Sequence, residues 1–333
     1  MERFRFLLSL GIVASVGVLA VIACDPPQAK KGPLKTTPAP DDDDDDTVRP
    51  DDDDDITVTP KPPESDPELP DGGKPPGRVY AHSASALFLF NPLNKKLEKI
   101  ADFQGLHQTT IGTTDRVLDI ALDRDSAMYG TTDNGFVKID PIDAKVTYIK
   151  EEGNFLYPNG LGFVPMGTVD PTKEALVGYK VAPDAGVGEQ FATDYYRIDL
   201  QTGNMTRIGQ LNPPGAAMKY KSSGDIISML RNDKAYVAVR PFDPSTDAGV
   251  PDSIAEIDPK TGQIKTVLDD TGFAEFWGLG QWAGAAYGFS NRGAIVEIDL
   301  VTGKGKLVTT EPSDAGVAQW FGAGVTTNAP TKP

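Results

Sequence analysis

Cysteine is nearly missing. The 333 residues hold one, Cys24, so the chain cannot build an internal disulfide framework or a thiolate metal cage. Histidine is almost as scarce: His82 and His107 stand alone, with no pair at metal-ligand spacing. No Gly-x-Ser-x-Gly elbow occurs, and no cysteine lies in the body of the chain to serve as a nucleophile. Positive charge is also in short supply. Against 48 Asp and Glu there are 32 Lys and Arg, a formal net charge of −16. Nucleic acid requires a basic face, and this balance argues against such a partner. Long apolar runs are lacking too, apart from residues 6–22.

That run follows a short basic start containing Arg3 and Arg5 and ends in Val21-Ile22-Ala23-Cys24. At about 17 residues it is short for a membrane-spanning helix and suits a signal peptide over residues 1–23. The closing tetrapeptide resembles the lipobox of bacterial lipoproteins. The resemblance implies cleavage after Ala23 and a diacylglycerol on Cys24, with fatty acyl chains such as palmitate anchoring the protein to a membrane. The expected address is the bacterial cell envelope, on the extracytoplasmic side. Asp25 resembles the inner-membrane retention signal of enterobacterial lipoproteins, a rule that varies between lineages, so the choice of membrane stays open.

Residues 24–76 read as a disordered tether. Beyond Cys24 they hold 16 acidic and 6 basic residues, frequent prolines and two aspartate blocks, 41–46 and 51–55. Such a segment buries too little apolar surface to offset its ordering entropy, and like charges keep it extended. Carboxylate runs suit Ca²⁺ loosely. That is the one cofactor the sequence suggests, and no metal site with fixed ligands is expected. The remainder, 77–328 with a short tail at 329–333, carries about −7.

That remainder is organised by one repeated turn. Ile257-Asp258-Pro259-Lys260-Thr261-Gly262 recurs as Ile298-Asp299-Leu300-Val301-Thr302-Gly303 and as Ile198-Asp199-Leu200-Gln201-Thr202-Gly203. Weaker copies begin at Ile139 and Phe90. In each, the Asp or Asn can accept an N–H two residues on, and the Gly can take positive φ to close a hairpin. Apolar residues alternate on both sides, the period of a strand. Each turn sits within a phrase of four strands, a to d, and the spacing of the turns is that of a β-propeller. The expected fold is all-β: five blades of four antiparallel strands, or six if a long loop conceals one. The first copy lacks strand a. Gln319-Trp320-Phe321-Gly322-Ala323-Gly324 matches Glu275-Phe276-Trp277-Gly278-Leu279-Gly280, so the C-terminal strand is expected to complete blade 1 and close the ring. The pattern resembles the YVTN, NHL and quinoprotein-like propeller repeats. That likeness implies fold, and these folds host many unrelated roles.

In such a ring the d–a and b–c loops share a face. Long b–c insertions containing Asp184 and Asp247, with Phe155, Tyr157, Phe276, Trp277, Trp320 and Phe321 near the central mouth, form the expected binding surface. The reading is an interaction module for a protein or glycan of the envelope, with no catalytic residue assigned. The competing reading is a propeller enzyme with carboxylates at the axial mouth. In outline it resembles glutaminyl cyclotransferases and gluconolactonase-like hydrolases, but none of their motifs can be placed here. Asp119, Asp123 and Asp125 near blade 2 are the carboxylates available to it, and acidic residues in turns are usually solvated. His82 is expected on a strand of blade 1 and His107 in the first d–a loop.

Overall fold

The computed structural model describes residues 78–109, 112–153, 156–181, 193–229, 233–242, 250–309 and 317–331. They form twenty strands and, among the described residues, no helix. Blade 1 contains β1 (Val79–His82), β2 (Ala86–Asn91) and β3 (Lys96–Asp102), and blade 2 contains β4 (Val117–Leu122), β5 (Met128–Thr132), β6 (Gly135–Ile139) and β7 (Val146–Glu151). Blade 3 runs through β8 (Gly160–Val164), β9 (Ala175–Val181), β10 (Thr193–Ile198) and β11 (Met205–Gln210). Blade 4 runs through β12 (Tyr220–Met229), β13 (Lys234–Pro241), β14 (Ser253–Ile257) and β15 (Ile264–Asp270). Blade 5 has β16 (Phe276–Trp282), β17 (Ala285–Ser290), β18 (Ile295–Asp299) and β19 (Gly305–Thr309), and the last strand is β20 (Gly322–Gly324).

The strands pair into five antiparallel sheets of four, and β20 is the inner strand of the first, in the order β20-β1-β2-β3. Tyr80 pairs with Gly324, and His82 with Gly322. The architecture is therefore a five-bladed propeller closed by its C-terminal strand, as the repeat predicts; a sixth blade is not needed.

Each of five apolar clusters fills one gap between neighbouring blades. Leu87, Val117 and Met128 join blades 1 and 2; Phe136, Tyr157 and Phe163 join blades 2 and 3. Tyr179, Val237 and Ile257 join blades 3 and 4, and Ile227, Leu279 and Val296 join blades 4 and 5. Phe88, Phe289 and Trp320 join blades 5 and 1. These side chains come from the alternate positions of two-sided strands, so every blade buries both faces against its neighbours.

The inner strands β4, β8, β12, β16 and β20 crowd the axis. A Cβ on Gly162 would sit 2.4 Å from the Ile226 carbonyl oxygen, and one on Gly278 would sit 2.7 Å from the Gly322 carbonyl carbon. Only glycine permits this approach. The axis narrows to a void of about 10 Å³ between β4, β8, β12 and β20, about the space of one water.

Candidate functional site: a cleft over a sealed axis

The loops between d and a strands and the ends of the b strands meet on one face. They enclose a cleft of about 560 Å³, within the usual range of small-ligand sites. The d–a connections supply Arg116, Tyr157, Asn159 and Phe321. The starts of β12 and β16 supply Lys221 and Trp277, and the ends of β9 and β13 supply Lys180 and Arg240.

Trp277 and Phe321 occupy equivalent positions, each one residue before the glycine of an inner strand. Their rings meet edge to face, with centroids 5.4 Å apart and planes at 88°, a favourable arrangement for aromatic quadrupoles. The Arg116 guanidinium lies 5.8 Å from the Phe321 centroid, within cation–π range. It is held there by a two-pronged pair with Asp133, at 2.8 and 3.1 Å, which raises its pKa further.

Across the cleft, Arg240 Nε donates to Asp252 Oδ1 at 2.9 Å, and Asp252 Oδ2 accepts the Phe276 N–H at 2.7 Å. Burial pushes the Asp252 carboxyl up while Arg240 and these donors pull it down. Lys180 Nζ donates to the Leu156 carbonyl, and burial lowers its pKa. Among the described lining residues there are four cations and no carboxylate; Asp133 and Asp252 stand behind two of those cations.

The expected site residues divide sharply. Tyr157, Trp277 and Phe321 come together in the cleft wall. The Tyr157 hydroxyl donates to the Gly203 carbonyl at 2.8 Å, and burial lifts its pKa to about 12, so it takes part as a neutral phenol. Phe276 and Trp320 do not belong to the mouth. Both are 0% exposed: Phe276 fills the gap between blades 4 and 5, and Trp320 that between blades 5 and 1. Alternation explains the correction, because each is the residue before a cleft aromatic and so points to the opposite face of its strand. Phe155, Asp184, Asp247 and Cys24 lie outside the described residues, as do both aspartate blocks, whose carboxylates suit Ca²⁺ only loosely.

Beneath the cleft floor lies a polar centre that sequence reading missed. Asp119 on β4 and Asp225 on β12 are both 0% exposed. Asp119 is thus no solvated turn residue. Its Oδ1 accepts the Ile120 N–H at 2.7 Å, and its Oδ2 accepts the Leu161 N–H of β8. Asp225 Oδ2 accepts the Leu279 N–H of β16 at 3.0 Å and the Ala323 N–H of β20 at 2.8 Å. Two carboxylates therefore lace all five inner strands together.

The remaining oxygen, Asp225 Oδ1, finds no donor as long as both groups are ionised. A proton on Asp119, directed at Asp225, supplies the missing donor. Burial first, and then the neighbouring Asp225, raises Asp119 well above the ordinary carboxylate range; burial raises Asp225 to about 8. The pair thus keeps at least one proton at neutral pH.

His82 is 0% exposed. Its Nδ1 donates to the Ser83 carbonyl at 2.9 Å, and burial depresses its pKa to about 4. Its Nε2 faces the notch over Gly322, where an added Cβ would meet both Nε2 and Asp119 Oδ1 at 2.5 and 2.6 Å. His107, by contrast, is exposed, stacked on Tyr148 at 4.0 Å and paired with Glu151 at 3.0 Å. Among the described residues, no group of three or more His, Cys, Asp and Glu is placed to hold a metal ion. The signal that marks the axial pair is an Asp amid the aliphatic residues of an inner strand, in Asp119-Ile120 and Asp225-Ile226.

Fold and site together define a five-bladed propeller with a cleft lined by basic and aromatic side chains at one mouth of a sealed axis. No protein-family model and no curated protein matches the chain. Among solved structures it is similar to TolB from Acinetobacter baumannii, at 16% identity and a TM-score of 0.34, covering 64% of this chain and 46% of that one. It is similar to an auxiliary nutrient binding protein from Bacteroides thetaiotaomicron at 13% identity and a TM-score of 0.34, covering 69% and 54%. A protein of unknown function from Bacteroides caccae gives 9% identity and a TM-score of 0.32 over 71% and 72%. The chain spans about half the length of the first two. At these scores the likenesses carry no functional argument, and the fold assignment rests on the sheets themselves.

Proposed function

We propose that this chain is a lipid-anchored protein of the bacterial cell envelope whose propeller is an extracytoplasmic binding module for a protein or glycan. The cleft is its binding site. The observation that carries the reading is the chemistry of the mouth: partly buried Trp277 and Phe321 set among basic side chains, with no carboxylate among the described lining residues. That mixture suits recognition, since flat rings offer stacking area at little entropic cost and cations orient a ligand. The enzyme reading needs carboxylates at the mouth, and the axial pair Asp119 and Asp225 is instead closed off beneath the floor and engaged by backbone amides.

Anchoring through Cys24 is supported by the sequence alone, in Val21-Ile22-Ala23-Cys24. Expression of the full chain in a bacterial host fed labelled palmitate tests it. Label and membrane fractionation are expected for the natural chain, and both are expected to vanish in Cys24→Ala. A Cys24→Ala chain that still takes up label would end the anchoring proposal and leave the cleft reading standing.

A further inference from the structure

The turns between c and d strands lie on the face opposite the cleft. Their third residue is the tip: Leu93, Ile142, Gln201, Lys260 and Val301 in blades 1 to 5. Three tips are aliphatic and stand out in solvent, with Leu93 55%, Ile142 84% and Val301 86% exposed. One exposed aliphatic residue is ordinary on a protein surface. Here the same turn position is apolar in blades 5, 1 and 2, which are neighbours around the ring, and polar in blades 3 and 4. A lysine stands three residues beyond each apolar tip, Lys96, Lys145 and Lys304, where the other two turns have Asn204 and Gln263. Lys304 already donates to the Asp270 carbonyl at 3.2 Å, so the lysines mark an amphipathic rim and the apolar tips are its contact points.

The turns hold these tips in place. Each tip donates its own N–H to the Asp or Asn that opens the turn, at 2.9 Å for Leu93, 2.8 Å for Ile142 and 2.7 Å for Val301. The chain also enters the ring beside the middle tip: Val79, at the start of β1, pairs with Phe90 at the foot of the blade 1 turn. The sequence that follows Cys24 therefore reaches the propeller on this face, between the tips of blades 5 and 2. Tips borne on three separate blades suit a broad surface, since a single bound segment would need them side by side. Resting on anchoring through Cys24, we infer that this rim docks on the lipid bilayer, with Leu93, Ile142 and Val301 at headgroup level and the cleft turned away from the membrane. Aliphatic tips with lysine stems beside them have the composition of an interfacial contact. An anchored domain meets the surface at high effective concentration, so three shallow insertions suffice to orient it.

Cys24 is the sole cysteine, and its sulfur is taken up in the lipid linkage, so a cysteine placed at one tip is the only free thiol. The full lipidated chain carrying Leu93→Cys, Ile142→Cys, Val301→Cys, Gln201→Cys or Lys260→Cys is labelled with a nitrobenzoxadiazole dye and added to preformed phosphatidylcholine vesicles. Flotation reports anchoring, iodide quenching reports water, and a doxyl-labelled lipid reports the bilayer. Labels at 93, 142 and 301 are expected to be severalfold less open to iodide than those at 201 and 260, and to be quenched by the doxyl lipid. Adding Ile142→Asp and Val301→Asp should return the label at 93 to the level of 201 while the chain still floats. A chain that floats with all five labels equally open to iodide overturns docking and leaves the anchor standing. A chain that does not float overturns anchor and docking together. Shielding that disappears when the chain is diluted a hundredfold on the vesicles points to a second copy and overturns the bilayer as the occupant.

Discussion

At the scale of single residues, the molecule depends on a shared proton. Asp119 and Asp225 accept amides from β4, β8, β16 and β20 and leave one oxygen to be satisfied by the other carboxyl. Their raised pKa values mean that the folded state holds more protons than the unfolded chain from about pH 4 up to about 8. The linkage slope is then negative, and stability falls as pH rises through that window, by up to about 1.4 kcal/mol per pH unit for one proton. His82 works the other way. Its pKa is depressed from 6.5 to about 4, so the folded state holds fewer protons there and gains stability as pH rises through that interval. Above about pH 6.5 His82 no longer opposes the pair. Thermal unfolding should therefore show a melting temperature that declines from pH 6.5 to 8. In Asp225→Asn the amide provides a permanent donor to Asp119 while its oxygen still accepts the two backbone amides, and the decline should flatten. An unchanged pH slope in that variant would refute the shared proton. The sequence shows each Asp amid the aliphatic residues of an inner strand, but the shared proton was not legible there, because nothing in the chain tells that two separate inner strands bring these carboxyls together.

At the scale of elements, the recurring turn behaves as its residues dictate. Asp258, Asp199, Asp299, Asp140 and Asn91 each accept the N–H two residues on, at 2.7 to 3.0 Å. The fifth residue closes each turn in the left-handed region: Gly203, Gly262 and Gly303 at φ 68, 70 and 85°, Ala144 and Lys95 at 59 and 60°. The degraded copies thus adopt the same geometry without the residue that suits it. This yields a paired prediction. A Cβ at Gly262 would lie 2.4 Å from Tyr195 Cγ, so Gly262→Ala combines a clash with left-handed strain and should cost about 2 kcal/mol or more. Ala144→Gly relieves the same strain in blade 2 and should leave stability unchanged or raise it by up to about 1 kcal/mol. Denaturant midpoints measure both, and equal losses in the two variants would contradict the account. Because these turns are local, the strand pattern and blade count could be read directly from the chain. Which aromatic of each pair faces the cleft could not. Phe276 and Trp277 are equally apolar, and a bulge at the start of β16, between Phe276 and Gly278, sets the phase of the strand.

At the scale of the whole molecule, closure decides whether five sheets make one body. β20 contributes three residues, yet it pairs with β1, accepts nothing less than the full crowding of the axis at Gly322 and Gly324, and brings the Ala323 amide to Asp225. Next to it Trp320 packs edge to face on Phe88 and Phe289 at 5.3 and 5.6 Å, and its Nε1 donates to the Gly293 carbonyl at 2.9 Å. One short segment therefore fills the last gap between blades, satisfies the axial carboxyl pair and covers the edge of β1. Removing residues 318–333 should remove all three together: an apolar cavity opens between blades 5 and 1, Asp225 loses a donor, and β1 presents a bare edge that invites pairing with another chain. The truncated chain should unfold at lower denaturant with a broader transition and should self-associate. A synthetic peptide spanning 318–331 should restore the monomer and the sharp transition. The same peptide with Trp320→Ala should restore far less, since truncating a buried tryptophan costs about 3–5 kcal/mol. A truncated chain that stays monomeric with an unaltered transition would show that the other four gaps hold the ring unaided, and that the terminal strand only decorates it.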